Sequence, residues 1–280
     1  MAPQQPRYEQ IADDLRQQIE SGELPRESQI PTELELQKKF SASRNTVREA
    51  VKLLVLEGLL DARGGREGTW VTPAYVPFVT TLSTDPKTGL SGIGEEGSTY
   101  PDLVRQQDQR NAGARRPVVN VIECPPQIAA RLQIEPGEDT VKRRQLRLIE
   151  DTMWSLQTSY YPMKWVQMGA VRLLEPRDIL EGAVEYLAST IGLKQNSYRD
   201  LISARQPYAD EQDLFKLAIN RLVLEVYRTS FTSDGTPLRV TVTVYPADRN
   251  QLVYDIGAVP EHHEKPVWPE PPDTTEVEAD

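Results

Sequence analysis

The stretch Ser41–Leu60, SASRNTVREAVKLLVLEGLL, decides the fold of the amino-terminal part of this chain. Val47, Ala50, Val51 and Leu54 recur at helical spacing and form one apolar stripe. Arg44, Arg48 and Lys52 stand four apart on a different face. Ser43 is placed to cap the helix, which leaves Arg44, Asn45 and Thr46 in its first turn. That layout suits a helix entering the DNA major groove. Its inner stripe packs on a partner helix while its first turn meets base edges. Arginine pairs bidentately with guanine and asparagine with adenine, and Ser and Thr hydroxyls hold phosphates or bases. An ordinary amphipathic helix with a solvated charged face has the same periodicity, so the neighbouring segments decide between the two.

Upstream, Arg7–Ser21 reads as a helix with Tyr8, Ile11, Leu15 and Ile19 as its buried stripe and Gly22 as a stop. Thr32 and Glu35 form a T-x-x-E capping box, so a second helix is expected from about Glu33 to Phe40, burying Leu34, Leu36 or Phe40. Ser41–Ser43 is then the tight turn of a helix-turn-helix. Downstream, LLDARGGREGTWV reads as two short strands around a tip of Gly64, Gly65 and Gly68, with Arg63 and Arg66 on or beside it. A hairpin in that place is a wing, and Arg66 can lie on a phosphate or in the minor groove.

Residues 7 to 72 resemble the DNA-binding domain of the GntR family of bacterial transcription regulators. The family pattern stands here as IPTE (30–33), SRNTVREA (43–50), EGLL (57–60) and GREGTWV (65–71). By that resemblance Thr32, Ser43, Arg44, Asn45, Thr46, Arg48 and Gly65 occupy DNA-contacting positions. Leu34 stands where many relatives carry Arg, and the wing has one residue more than the usual G-x-G-T.

The net charge of -10 does not advertise a nucleic-acid binder, but much of the acidity lies in the terminal tail and a groove-reading helix needs only local positive charge. The single cysteine, Cys124, excludes an intramolecular disulfide. No apolar run approaches the ~20 residues of a membrane span, and no signal pattern opens the chain. The expectation is a cytoplasmic protein without metal or cofactor.

Residues 75–116 are rich in Gly, Ser, Thr, Pro and acid and read as a linker or mobile loop, with a strand over 76–82 as the lesser alternative. From Pro117, β-branched strands alternate with short helices. The Asp234-Gly235-Thr236-Pro237 turn marks a closing hairpin. The expected fold class is α+β: a winged helix-turn-helix over 1–74 and an antiparallel sheet with packed helices over 117–257. The Pro- and acid-rich tail, 258–280, is expected to be disordered.

Residues 117 to about 256 resemble the UTRA domain, the effector module of the HutC subfamily, whose fold resembles chorismate lyase. The resemblance rests on the PP-helix-L-x-x-x-PG segment, Q-T-S-Y-Y-P (157–162), the helix ending in I-G-L (191–193), and D-G-T-P leading to Y-P-A-D-R (245–249). In relatives an effector lies against strand residues of alternating direction. Alternation places Gln145 and Arg147 on one face of their strand and Gln157, Ser159 and Tyr161 on one face of the next. Arg147 can hold a carboxylate or phosphate, and Ser159 and Tyr161 can donate hydrogen bonds. Tyr245 matches a family tyrosine. Gln145 stands where relatives often have Arg, and Arg239 where they often have Glu, so no relative's effector can be copied onto this chain.

An enzyme has little support. His262 and His263 lie in the Pro-rich tail, and no metal-ligand spacing or nucleotide loop is present. The expected protein is a homodimeric regulator, a repressor of a palindromic operator released by an unknown small-molecule effector. The alternative is a constitutive DNA-binding repressor whose second domain serves only dimerisation.

Overall fold

The computed structural model describes residues 5–63, 67–75, 78–81, 104, 110–218 and 220–254. The chain forms two compact units, Met1–Val76 with Arg205–Val223, and Pro77–Ala204 with Leu224–Asp280.

The first unit opens with α1 (Arg7–Glu20), α2 (Glu33–Phe40) and α3 (Arg44–Leu56). Their apolar stripes meet in one core in which Ile11, Leu15, Leu36, Val47, Ala50 and Leu54 are buried. The α2 start is capped as its sequence implies: Glu35 N donates to Thr32 Oγ1 at 3.4 Å and Thr32 N donates to Glu35 Oε2 at 2.8 Å. Thr32→Ala should therefore cost about 1 kcal/mol of the unit's stability, and Thr32→Ser should restore most of it, as read from urea midpoints. Ser41, at φ 48, takes the left-handed conformation that ends α2 and starts the tight turn. Leu34 is not in the core but 60% exposed. Helical geometry puts it about 200° around the axis from inward-facing Leu36, and two turns of helix can bury only one side.

After α3 the chain forms a hairpin of β1 (Leu60–Ala62) and β2 (Thr69–Val71), with Leu60 opposite Val71 and Ala62 opposite Thr69. The expected wing is thus present as a strand pair. Its tip, with Gly65 and Arg66, lies outside the described residues.

The second unit is built on a sheet. Its strands are β3 (Phe78–Thr81), β4 (Ala112–Ala114), β5 (Val118–Glu123), β6 (Asp139–Ile149), β7 (Thr152–Pro162), β8 (Ser197–Arg205), β9 (Val223–Phe231), β10 (Pro237–Pro246) and β11 (Asn250–Val253). Seven of them form one sheet in the order β4-β6-β7-β10-β9-β8, with β5 sharing the β6 edge with β4. β4, β5 and β7 run antiparallel to β6, and β10 antiparallel to β7. The helices are α4 (Pro126–Leu132), α5 (Met163–Gln167) and α6 (Ala183–Ile191), with a 3-10 turn over Val171–Leu174. The α5 and α6 segments pack Trp165, Tyr186 and Leu187 with Val141 and Tyr161 of the sheet, while α4 packs Ile128 and Leu132 with Val240. The fold is therefore α+β, with helices on both sheet faces.

In the stretch read as a linker, the lesser alternative of a strand is present as β3 over Phe78–Thr81, and the stretch is paired at both ends. β3 runs parallel to β11, from Phe78 opposite Asn250 to Thr81 opposite Val253, and β4 pairs Ala112 with Ile149. Neither strand has a periodic apolar pattern of its own. Each is held by backbone hydrogen bonds to a partner far along the sequence, which local spacing does not show. The helix that ends in I-G-L starts at Ala183, because Gly182 has φ +86 and precedes the first helical turn.

The first unit is completed by a loop that leaves β8 and returns to β9. It carries α7 (Ala209–Phe215), started by Glu211, which accepts from Tyr208 N at 2.9 Å and binds Arg205 at 2.6 and 2.8 Å. Further on, Arg221 Nη2 donates to Gly58 O at 2.6 Å and Asn220 Nδ2 to Val55 O at 3.4 Å. These carbonyls lie at and just beyond the end of α3; Val55 O also accepts from Gly58 N at 3.0 Å and Gly58 O from Thr72 Oγ1 at 2.8 Å, so the loop adds a further donor to each. Gly58 has φ +73, and a Cβ there would lie 2.8 Å from the Arg221 guanidinium. Glycine therefore serves both the left-handed turn and the close approach.

Candidate functional site

The N-terminus of α3 carries an exposed polar and basic surface. Ser43 accepts from Thr46 N at 3.2 Å, and the two hydroxyls lie 2.8 Å apart. Arg44 and Arg48 are 70% and 62% exposed, and Asn45 beside them is exposed. Glu33, on α2, takes Arg44 Nε at 2.8 Å and lies 3.6 Å from Arg48 Nε. Exposed pairs of this kind are worth at most about 1 kcal/mol and are screened by salt, so a phosphate can replace the carboxylate at little cost. Thr32, by contrast, spends its hydroxyl on Glu35 Oε2 at 2.7 Å. Sequence spacing did not single out Glu33, because its partners are on another helix and no local repeat joins them.

A second polar surface lies on one face of the large sheet. Across β6 and β7, Gln145 is opposite Gln157, Arg143 opposite Ser159, Arg147 opposite Ser155 and Val141 opposite Tyr161. Across β7 and β10, Ser159 is opposite Thr241 and Gln157 opposite Thr243. Strand alternation puts Arg239 and Tyr245 on the same face as Thr241 and Thr243. All seven residues expected at an effector site, Gln145, Arg147, Gln157, Ser159, Tyr161, Arg239 and Tyr245, are buried and share this face. Gln157 Nε2 donates to Ser159 Oγ at 3.3 Å, and Ser159 Oγ lies 3.2 Å from Thr241 Oγ1. Burial pushes the Tyr245 hydroxyl above its ordinary pKa, while Arg147 and Arg228 act against the rise, so the hydroxyl keeps its proton and can donate.

Residues 7–71 match the gntR family of bacterial regulatory proteins, and residues 109–251, just over half of the chain, match the UTRA domain. The chain is a GntR-family regulator with a UTRA domain.

Several relatives agree with it along nearly their whole length. An HTH-type transcriptional regulator of Streptomyces coelicolor is 26% identical over 255 residues, covering 91% of this chain and 94% of the relative. The HTH-type transcriptional repressor NagR of Bacillus subtilis is 23% identical, covering 89% and 94%. A crystal structure of a GntR-family transcriptional regulator superposes with a TM-score of 0.59 at 26% identity, covering 91% of this chain and 99% of that one. These relatives are transcription regulators rather than enzymes, and so is this chain. Burial raises the pKa of the Cys124 thiol, the opposite of what an activated nucleophile requires. Among the described residues no helix is long and apolar enough to cross a membrane, and no cluster of His, Cys, Asp and Glu could hold a metal ion.

Within the UTRA domain the seven expected residues have different surroundings. Gln145 Nε2 donates to Arg115 O at 3.1 Å and to Asp178 Oδ1. Tyr161 packs in the apolar cluster with Trp165 and Tyr186. Arg147, Ser159 and Tyr245 lie towards the polar part of the face. Arg143, one strand position from the expected set, spans the loop after the 3-10 turn and donates at 2.8 Å to Leu173 O, Glu175 O and Arg177 O. That makes it a clamp for the helical layer. The sequence shows a basic run there but not which of its members turns inward.

Proposed function

We propose that this regulator reads a palindromic operator as a cytoplasmic homodimer, and that a small molecule on the polar face of the UTRA sheet changes its affinity for DNA. The observation that supports the DNA contact is the exposed first turn of α3, where, among the described residues, Arg44 and Arg48 are held only by the exposed carboxylate of Glu33. Ser43, Asn45 and Thr46 complete the reading edge, with Gly65 and Arg66 at the wing and Thr32 at the start of α2. Two copies related by a twofold axis would place their α3 helices in half-sites about 34 Å apart. The effector acts by binding more tightly to one of two dimer arrangements, and the shift it causes is limited by that difference in affinity.

A mobility shift with the chain's own upstream DNA, at stated salt, tests the first part. Arg44→Ala should weaken specific binding by about 1–3 kcal/mol and relax selectivity at one base pair. If Arg44→Ala bound the operator as the parent does, α3 would not be read through this residue. The same assay, repeated with added metabolites, tests release by an effector.

A further inference from the structure

Three buried arginines of the UTRA domain are held by identifiable acceptors, and Arg239 differs from them. Arg143 has three carbonyls. Arg228 has the Asp200 carboxylate at 2.8 and 2.6 Å. Arg249 has Asp248 at 2.8 and 3.1 Å and Met153 O at 3.2 Å. Arg239 is 2% exposed, yet its Nε and one terminal nitrogen, Nη1, find no acceptor among the described residues. A guanidinium does not give up its proton, so burial cannot neutralise it. A buried charge with unanswered donors is among the costliest arrangements in a fold.

The strands flanking Arg239 present no carboxylate on its face: Glu225 of the neighbouring β9 shares the parity of Tyr227, which packs with Val240 and Val242 on the opposite face, and Asp178, which reaches this face from a loop, is engaged by Gln145. On its face, β6 presents Val141, Arg143, Gln145 and Arg147, β7 presents Ser155, Gln157, Ser159 and Tyr161, and β10 continues with Thr241, Thr243 and Tyr245. Asp200, whose charge is felt at Tyr245, is already engaged by Arg228. The hydroxyls of Ser159 and Thr241 stand two positions along the strands and can serve a ligand oxygen. A planar guanidinium fork fits two oxygens of one carboxylate or phosphate.

We infer that the effector of this regulator is an anion whose carboxylate or phosphate group is received by Arg239. This rests on the reading that the polar sheet face is the effector site. It adds the ligand's charge and the residue that selects it. Neutral analogues of the same shape would leave Arg239 unanswered and would be rejected.

The test uses the full chain, thermal unfolding in a phosphate-free chloride buffer, and matched probes. The acids are inorganic phosphate, glycerol 3-phosphate, propionate and benzoate, and the neutral counterparts are glycerol, propionamide and benzamide. Acids should raise the Tm of the parent chain where their neutral counterparts do not, and the phosphate and carboxylate arms separate the two anion classes. Arg239→Gln should weaken that binding about 10- to 150-fold, the usual range for a charge-assisted hydrogen bond, and Arg239→Lys should recover part of it. Without any probe, Arg239→Met should unfold at a higher temperature than the parent, because it removes an unanswered buried charge. A lower Tm for Arg239→Met would show that Arg239 already has a partner and would overturn the inference. Acids that stabilise the parent and Arg239→Gln equally, or binding by neutral probes alone, would also overturn it while leaving the effector site standing. If neither these probes nor a general metabolite panel shift the parent, the effector reading fails as well.

Discussion

Asp200→Ala lowers the stability of the sheet unit by an expected 3–5 kcal/mol or about that. Asp200 and Arg228 are 6% and 8% exposed and meet through two hydrogen bonds, on the neighbouring strands β8 and β9. Burial alone would pull the Arg228 pKa down, but the hydrogen bonds and charge of Asp200 outweigh it and hold the value above the ordinary one. Removing the carboxylate leaves the guanidinium charged, because its pKa is far beyond any working pH, and takes away the two charged oxygens that answer it. The large cost is the penalty of an orphaned buried charge rather than the net worth of the pair. The double replacement Asp200→Leu with Arg228→Met should therefore recover much of the loss. Urea unfolding followed by hydrogen exchange in β8 and β9 measures both. A single-variant loss under about 1 kcal/mol would show that water reaches the pair, and surface magnitudes would then apply.

The second large effect is expected at Leu54. It is fully buried in the helical core, beside Val47 and Ala50. Leu54→Ala should cost about 2–5 kcal/mol, the spread reflecting how far the site collapses around the missing atoms. In a small unit that is a large share of the total stability. Since α3 also carries Arg44 and Arg48, the variant should lose operator binding through unfolding rather than through a missing contact. Excess operator DNA should then restore its thermal stability by mass action. Arg44→Ala behaves in the opposite way, with an unchanged melting temperature and weakened binding. Finding Leu54→Ala as stable as the parent would mean that α3 is not the centre of this core.

Elements with their own periodicity were legible in the sequence. The three helices carry a 3.6-residue apolar stripe, and Thr32 and Ser43 mark two of their starts within a few residues. Strand parity grouped Gln145 with Arg147, and Gln157 with Ser159 and Tyr161, while Arg239 and Tyr245 came from the family resemblance; the long-range register of β6, β7 and β10 is what sets them on one surface. What the sequence concealed depends on partners far along the chain. The parallel pairing of Phe78–Thr81 with Asn250–Val253 is one case. Glu33 between Arg44 and Arg48 is another, and the Asp200–Arg228 pair a third. At α2 the spacing offered Leu34, Leu36 or Phe40 for burial, and the two-turn helix buries Leu36 and turns Leu34 outward. At the polar sheet face, parity could group residues but could not tell that Arg143 is spent on carbonyls and Gln145 on Asp178.

The loop from Arg205 to Val223 has a bearing on how this regulator can be cut and recombined. The unit that holds α3 is stitched from two separate lengths of chain. A fragment stopped at Val76 loses the donors that Arg221 and Asn220 supply to Gly58 and Val55. A hybrid made by joining one regulator's amino-terminal half to another's sensor at the linker would present α3 with a loop that evolved against a different helix. A faithful exchange has two seams, one near residue 76 and one at the ends of this loop. The loop travels with the helices it touches, although the sequence files it with the sensor.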